Sequence, residues 1–71
     1  MTYWTGLVGP KDDFGDTITD VFYDAPTRFT RQWAIMTPGN WKMRRLHALL
    51  GTGKGQKYVK QSDGRWLKTE G

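Results

Sequence analysis

The stretch that most narrows the fold is Gly51 to Lys68, GTGKGQKYVKQSDGRWLK. Two short runs containing aromatic and β-branched residues flank Ser62-Asp63-Gly64, and Asp-Gly at such a position is a strong hairpin signal. A two-residue loop would set Gln61 opposite Trp66 and Lys60 opposite Leu67, scattering apolar and basic side chains over both faces. A three-residue loop, with Gly64 in the left-handed conformation, instead pairs Val59 with Leu67 and Lys60 with Trp66. Side chains alternate along a strand. Val59 and Leu67 are therefore expected to pack inward, with Tyr58, Lys60, Trp66 and Lys68 facing outward. Such an outward face suits nucleic acid or an acidic protein partner. It is also what an ordinary solvated edge hairpin looks like when lysines keep it soluble.

Seventy-one residues make one small domain, 1–71, with a thin margin of stability. There are no cysteines and His47 is the only histidine, so neither disulfides nor a thiolate metal site can support the chain. No metal and no cofactor are expected. The rings remain: four Trp, three Tyr and three Phe, each able to bury about 150–250 Å². No apolar run approaches membrane-spanning length and no signal peptide is evident, so a cytoplasmic protein is expected.

Charge is unevenly spread. Residues 1–27 hold Lys11 against five aspartates, a balance of −4, and residues 28–71 hold ten bases against Asp63 and Glu70, a balance of +8. The asymmetry suggests a basic working surface. The acidic segment is expected beside it, either as simple self-complementarity or as an occupant when no partner is bound.

Taken in order, Met1 to Val8 reads as a strand weakened by Gly6 and ended by Gly9-Pro10. Lys11 to Asp16 is an acidic loop lacking the ligand series of a calcium site, with Phe14 expected as a core plug. Thr17 to Tyr23 reads as a strand, Asp24 to Thr27 as a turn and Arg28 to Met36 as the returning strand. Trp33 and Ile35 are expected in the core of this central hairpin. Thr37 is placed as a helix N-cap, with Pro38 at the first helical position. The helix is expected over Gly39 to Leu50, stopped by Gly51. Its inner face would carry Met43, Leu46 and Leu50, with His47 and Leu49 at the margin; Trp41, Arg44, Arg45 and Ala48 would face away. Arg44 and Arg45 beside Trp41 repeat the basic and aromatic composition of the hairpin. The two form one patch only if they are contiguous.

The glycines around Lys54 do not satisfy a phosphate-binding loop, which needs wider spacing between a strand and a helix. They read as a joint whose amides, with Lys54, could hold one anion. No Ser/His/Asp, Cys/His or paired-carboxylate arrangement assembles, so no catalytic residue is assigned and a binding protein is expected. The fold expected is α+β, a small antiparallel sheet of four to five strands with one helix packed on it. An SH3-like barrel with a helical insertion is the alternative.

The runs Trp33 to Pro38 with Trp41, Leu50 to Tyr58 and Asp63 to Lys68 resemble small bacteriophage-encoded transcription regulators that bind host RNA polymerase. That resemblance implies a monomeric host-takeover factor in the bacterial cytoplasm, acting on the polymerase to inhibit initiation or promote antitermination. The binding surface expected from the residues comprises Trp41, Arg44, Arg45, Lys54, Lys57, Tyr58, Lys60, Arg65, Trp66 and Lys68. A sequence-tolerant nucleic-acid-binding module using the hairpin face is the second reading, and a virion-assembly protein the third.

Overall fold

The C-terminal hairpin forms in the expected register. In a computed structural model that describes all 71 residues, the third strand β3 (Gln56–Lys60) and the fourth β4 (Trp66–Glu70) pair Val59 with Leu67 and Lys60 with Trp66. Gln61 and Arg65 close a three-residue loop, with Gly64 at φ 90°. Strand β1 (Val21–Pro26) lies antiparallel to β3, and β2 (Trp33–Met36) pairs antiparallel on its other side. The order is β2-β1-β3-β4. Helix α1 (Pro38–Arg44) packs on β1 and β2. This is a small α+β fold, one helix on an open four-stranded antiparallel sheet, and not the closed barrel held as the alternative.

Several element boundaries move. The expected strand at Met1 to Val8 shrinks to a single bridge, Tyr3 opposite Leu67, on the outer edge of β4. The chain bends at Gly6, where a β-carbon would stand 3.2 Å from the Trp4 indole nitrogen. The first central strand begins at Val21 rather than Thr17 and runs through the expected turn to Pro26. Proline is tolerated there because β3 pairs only with Val21 to Asp24, so no neighbour needs a donor from residue 26. The turn falls instead at Thr27 to Gln32, closed by Thr27 N–H on the Gln32 carbonyl at 2.9 Å.

Thr37 caps α1 as expected, accepting from the Asn40 amide at 3.4 Å, with Pro38 in the first turn. The helix stops six residues short of Leu50. Arg45 leaves helical geometry because its neighbours find other partners: Leu46 N–H bonds the Pro26 carbonyl at 3.1 Å and Arg28 N–H the Arg44 carbonyl at 2.8 Å. Met43 and Leu49, expected inward or at the margin, are exposed. Gly51 does not cap the helix. It closes its own turn with Gly55, whose missing side chain matters because a β-carbon there would meet Ala25 Cβ at 2.5 Å.

Two cores flank the sheet. On one face Phe22 is fully buried, stacked on Tyr58 at 5.0 Å and met edge-on by Trp4 at 5.4 Å and Trp66 at 4.9 Å. Aromatic pairs of this kind add roughly 0.5–1.5 kcal/mol beyond their buried area. On the other face Met36 and Ala25 are buried, and Trp41 from α1 stacks on Tyr23 at 4.3 Å. Trp33, expected in the core, is 47% exposed because it lies on the edge strand β2. Phe14, expected as a plug, is also exposed, and Ile35 is half-buried.

The acidic loop is fastened by Asp12, which is buried. One carboxylate oxygen accepts from the amides of Phe14 and Asp16, each at 2.9 Å, and the other from Thr37 N–H at 2.8 Å and Asn40 Nδ2 at 2.7 Å. Burial alone would raise its pKa, but these four donors prevail and hold it down at about 2. Because folding lowers this pKa, the carboxylate's contribution is complete above the ordinary value of 3.8 and is lost as pH falls toward 2. Asp12→Asn should therefore lower stability at neutral pH by about 2–3 kcal/mol. Denaturant titrations from pH 6 to 2 should show the gap between the two proteins narrowing as pH falls. A gap independent of pH would contradict the assignment.

Candidate functional site

The hairpin face expected to look outward is the face that looks inward. Tyr58 is 7% exposed and Trp66 half-buried, both held against Phe22. The choice is made by β1, which sets Phe22 opposite Tyr58 and only Val21 opposite Val59. Rings bury more area than aliphatic side chains, so the ring-bearing side wins. Val59 and Leu67, expected to be the interior, are only half-buried. Asp24 shares the face of Phe22 and Tyr58 by alternation. Burial first and Asp13 second push its pKa up, while burial and Asp24 together push Tyr58 up.

The hairpin's cations divide between the two faces. Lys60 Nζ stands 5.9 Å from the Trp66 ring, and Lys68 Nζ reaches the Gly71 carbonyl at 3.5 Å. Lys57 is on the opposite face, 3.5 Å from Glu70 and 6.0 Å from the Tyr23 ring. Arg65 bonds Asp63 at 2.8 Å and lies 4.1 Å from the Tyr3 ring. Lys54 sits on the Gly51–Gly55 turn, whose backbone is closed on itself. The hairpin therefore carries no single cationic flank.

On the helix side, Trp41 turns inward rather than away. It forms a column with Tyr23, and the Arg45 guanidinium lies 4.7 Å over the outer ring face. The Trp41 indole N–H is buried without an acceptor. Arg44, next in chain to Arg45, points elsewhere: its guanidinium covers the Phe14 ring at 4.0 Å and its Nε donates to Asn40 Oδ1 at 3.4 Å. Of the ten residues expected to form one surface, Arg45 and Lys57 meet on the Tyr23–Trp41 column, Lys60 and Trp66 meet on the other sheet face, and Arg44 joins neither pair.

Arg44 instead borders a groove that the sequence reading passed over. The groove, of about 510 Å³, lies between α1 and the β1–β2 loop, with Phe14, Phe29, Trp33 and Met43 among its lining residues and Arg28 and Arg44 on its walls. Phe29 is 90% exposed and Met43 61%. Phe29 also has φ 76°, with Thr30 N–H bonding the Arg28 carbonyl across it at 3.0 Å. That is a γ-turn on its strained, positive-φ side, rare for a bulky side chain. Arg31, two residues on, has φ 61°. A ring this exposed buries almost nothing to offset the strain of its backbone position, which points to a use outside the fold.

The arginines beside this ring lack carboxylate partners. The only ion pairs are Lys57–Glu70 and Arg65–Asp63, both within the hairpin. The N-terminal aspartates do not neutralise the basic half. Asp12 and Asp16 accept from Asn40, and Asp13 accepts from the Ile35 amide at 2.8 Å. A sequence signal for this existed: residues 25–62 contain eight Lys or Arg and no Asp or Glu. No cluster of His, Cys, Asp and Glu could hold a metal ion, and no helix is long and apolar enough to cross a membrane. Comparison with protein-family models, curated proteins and solved structures gives no match.

If the groove's ring serves binding and the opposite cluster serves folding, the two should separate by substitution. Phe22→Ala should cost about 3–5 kcal/mol. Phe29→Gly should leave stability unchanged or raise it by up to about 1 kcal/mol, since glycine relieves the strain at the expense of some chain entropy. Denaturant unfolding of both variants measures this; a large loss for Phe29→Gly would make that residue structural.

Proposed function

We propose that this chain is a non-enzymatic regulator that docks on host RNA polymerase and alters transcription, by inhibiting initiation or by antitermination. The observation that carries the docking part is the exposed Phe29–Trp33–Met43 surface bordered by Arg28 and Arg44, neither of them ion-paired. Apolar anchors within a cationic rim are the composition of a surface that binds an acidic protein. The polymerase as partner rests on the resemblance to phage regulators in the Trp33–Trp41, Leu50–Tyr58 and Asp63–Lys68 runs. Transcription factors that act by contact need no chemistry of their own, which fits a chain whose Asp12 and Asp13 carboxylates are engaged by backbone and amide donors.

A second reading, sequence-tolerant nucleic-acid binding, is favoured by Lys60 beside the half-buried Trp66 ring. Both border a hollow of about 490 Å³ lined by Gly6 to Pro10, Ile18, Thr19 and Gly64. A cation next to a ring edge suits a phosphate next to a base.

A tagged copy immobilised with purified bacterial RNA polymerase separates the two. Retention of polymerase that survives nuclease treatment and falls at least about tenfold in Arg28→Gln/Arg44→Gln supports docking. No retention of polymerase removes it. Under the second reading, oligonucleotide affinity should fall with salt at a log–log slope of about −0.7 to −0.9 per phosphate contact and weaken in Lys60→Gln.

A further inference from the structure

We propose that the groove between α1 and the β1–β2 loop receives an extended acidic peptide segment carrying one apolar anchor side chain. The inference rests on the docking reading above and names the chemistry of the segment that would enter. Its first support is charge. Arg28 and Arg44 stand on the groove's walls with no carboxylate within ion-pair distance, and Arg31 belongs to the same loop. Each wall guanidinium is held over a ring, Arg44 at 4.0 Å from Phe14 and Arg28 at 5.0 Å from Phe29. A guanidinium already placed against a ring loses less freedom when its N–H groups meet a carboxylate, and the planar fork suits bidentate pairing.

The second support is the backbone of β2. This strand is an edge, and Asp13 occupies part of it: Asp13 N–H donates to the Ile35 carbonyl at 3.0 Å, and Ile35 N–H donates to the Asp13 carboxylate at 2.8 Å. Ala34 and Met36 face β1, so Trp33, two residues before Ile35, presents its N–H and C=O on the same outward edge as Ile35. That edge position borders the groove. A peptide backbone can satisfy it by strand addition, continuing the line begun by Asp13, and a nucleic-acid backbone cannot.

The third support is the lining. Ala34 and Met43 offer an aliphatic surface between the rings, which suits a leucine- or phenylalanine-sized anchor. Edge, anchor surface and cationic walls thus select a short acidic peptide over a nucleic-acid strand.

The test is a ¹⁵N NMR titration of the full chain with two synthetic peptides, one with a central Leu among Glu and Asp, the other with Lys in place of the acids. The acidic peptide should shift the amides of Arg28 to Ala34 with Met43 and Arg44. Its affinity should fall at least about tenfold in Arg28→Gln/Arg44→Gln and in Phe29→Gly, both with native-like unfolding curves. The lysine peptide should not bind. Absence of binding up to about 1 mM acidic peptide overturns the proposal. So do shifts centred elsewhere, or an oligonucleotide that moves the same amides in preference to the peptide. Polymerase retention without peptide binding leaves docking standing and removes the groove as its site. Peptide binding without polymerase retention does the reverse.

Discussion

The Asp12 carboxylate is the interaction on which the arrangement turns. Its four donors come from the acidic loop itself and from the start of α1, so one buried charge ties residues 12–16 to residues 37–40. Buried charges are tolerated only when their hydrogen-bonding capacity is met, and here each oxygen takes two donors. The consequence reaches beyond the loop. Asp13 and Asp16 are carried into the same network, onto Ile35 and Asn40, and are thereby engaged by neutral donors rather than by arginines. A chain with strongly acidic and basic halves could have neutralised itself. It leaves the cations of α1 and the β1–β2 loop without acidic partners.

The second constraint is the ring cluster around Phe22. A chain of 71 residues can bury little, and nine residues are buried in all, so large rings must carry much of the interior. Phe22, Tyr58, Trp4 and Trp66 gather on one sheet face, and Tyr23 and Trp41 on the other. Most cations then use the remaining ring surfaces as platforms: Arg45 on Trp41, Arg44 on Phe14, Arg65 on Tyr3. Basic and aromatic side chains do lie together throughout the molecule. They do so in separate pairs, and only around Phe29 does an exposed, strained ring stand among unpaired arginines.

What the sequence disclosed follows from how local each signal was. The Ser62–Gly64 loop fixes the Val59–Leu67 register through turn geometry alone, and Thr37-Pro38 fixes a helix start, so both were legible. The inward face of the hairpin was not, because it depends on Phe22, some forty residues away in sequence. The helix end was hidden for the same reason: nothing between Arg45 and Leu50 forbids helix, and the competing partners are the Pro26 and Arg28 backbone groups. Arg28 to Gln32 has strand-forming composition, yet it folds as a turn with Phe29 and Arg31 at positive φ. The groove could not be read before that turn was known.

The central claim is that the hairpin's rings belong to the interior and that the exposed apolar surface lies at the Phe29–Met43 end. Attenuation of side-chain NMR signals by a soluble gadolinium chelate addresses it directly. Strong attenuation of Phe29, Met43 and the Arg28 side chain, with Phe22 and Tyr58 protected, is the result the account predicts. Attenuation of Tyr58 comparable to that of Phe29 would contradict it.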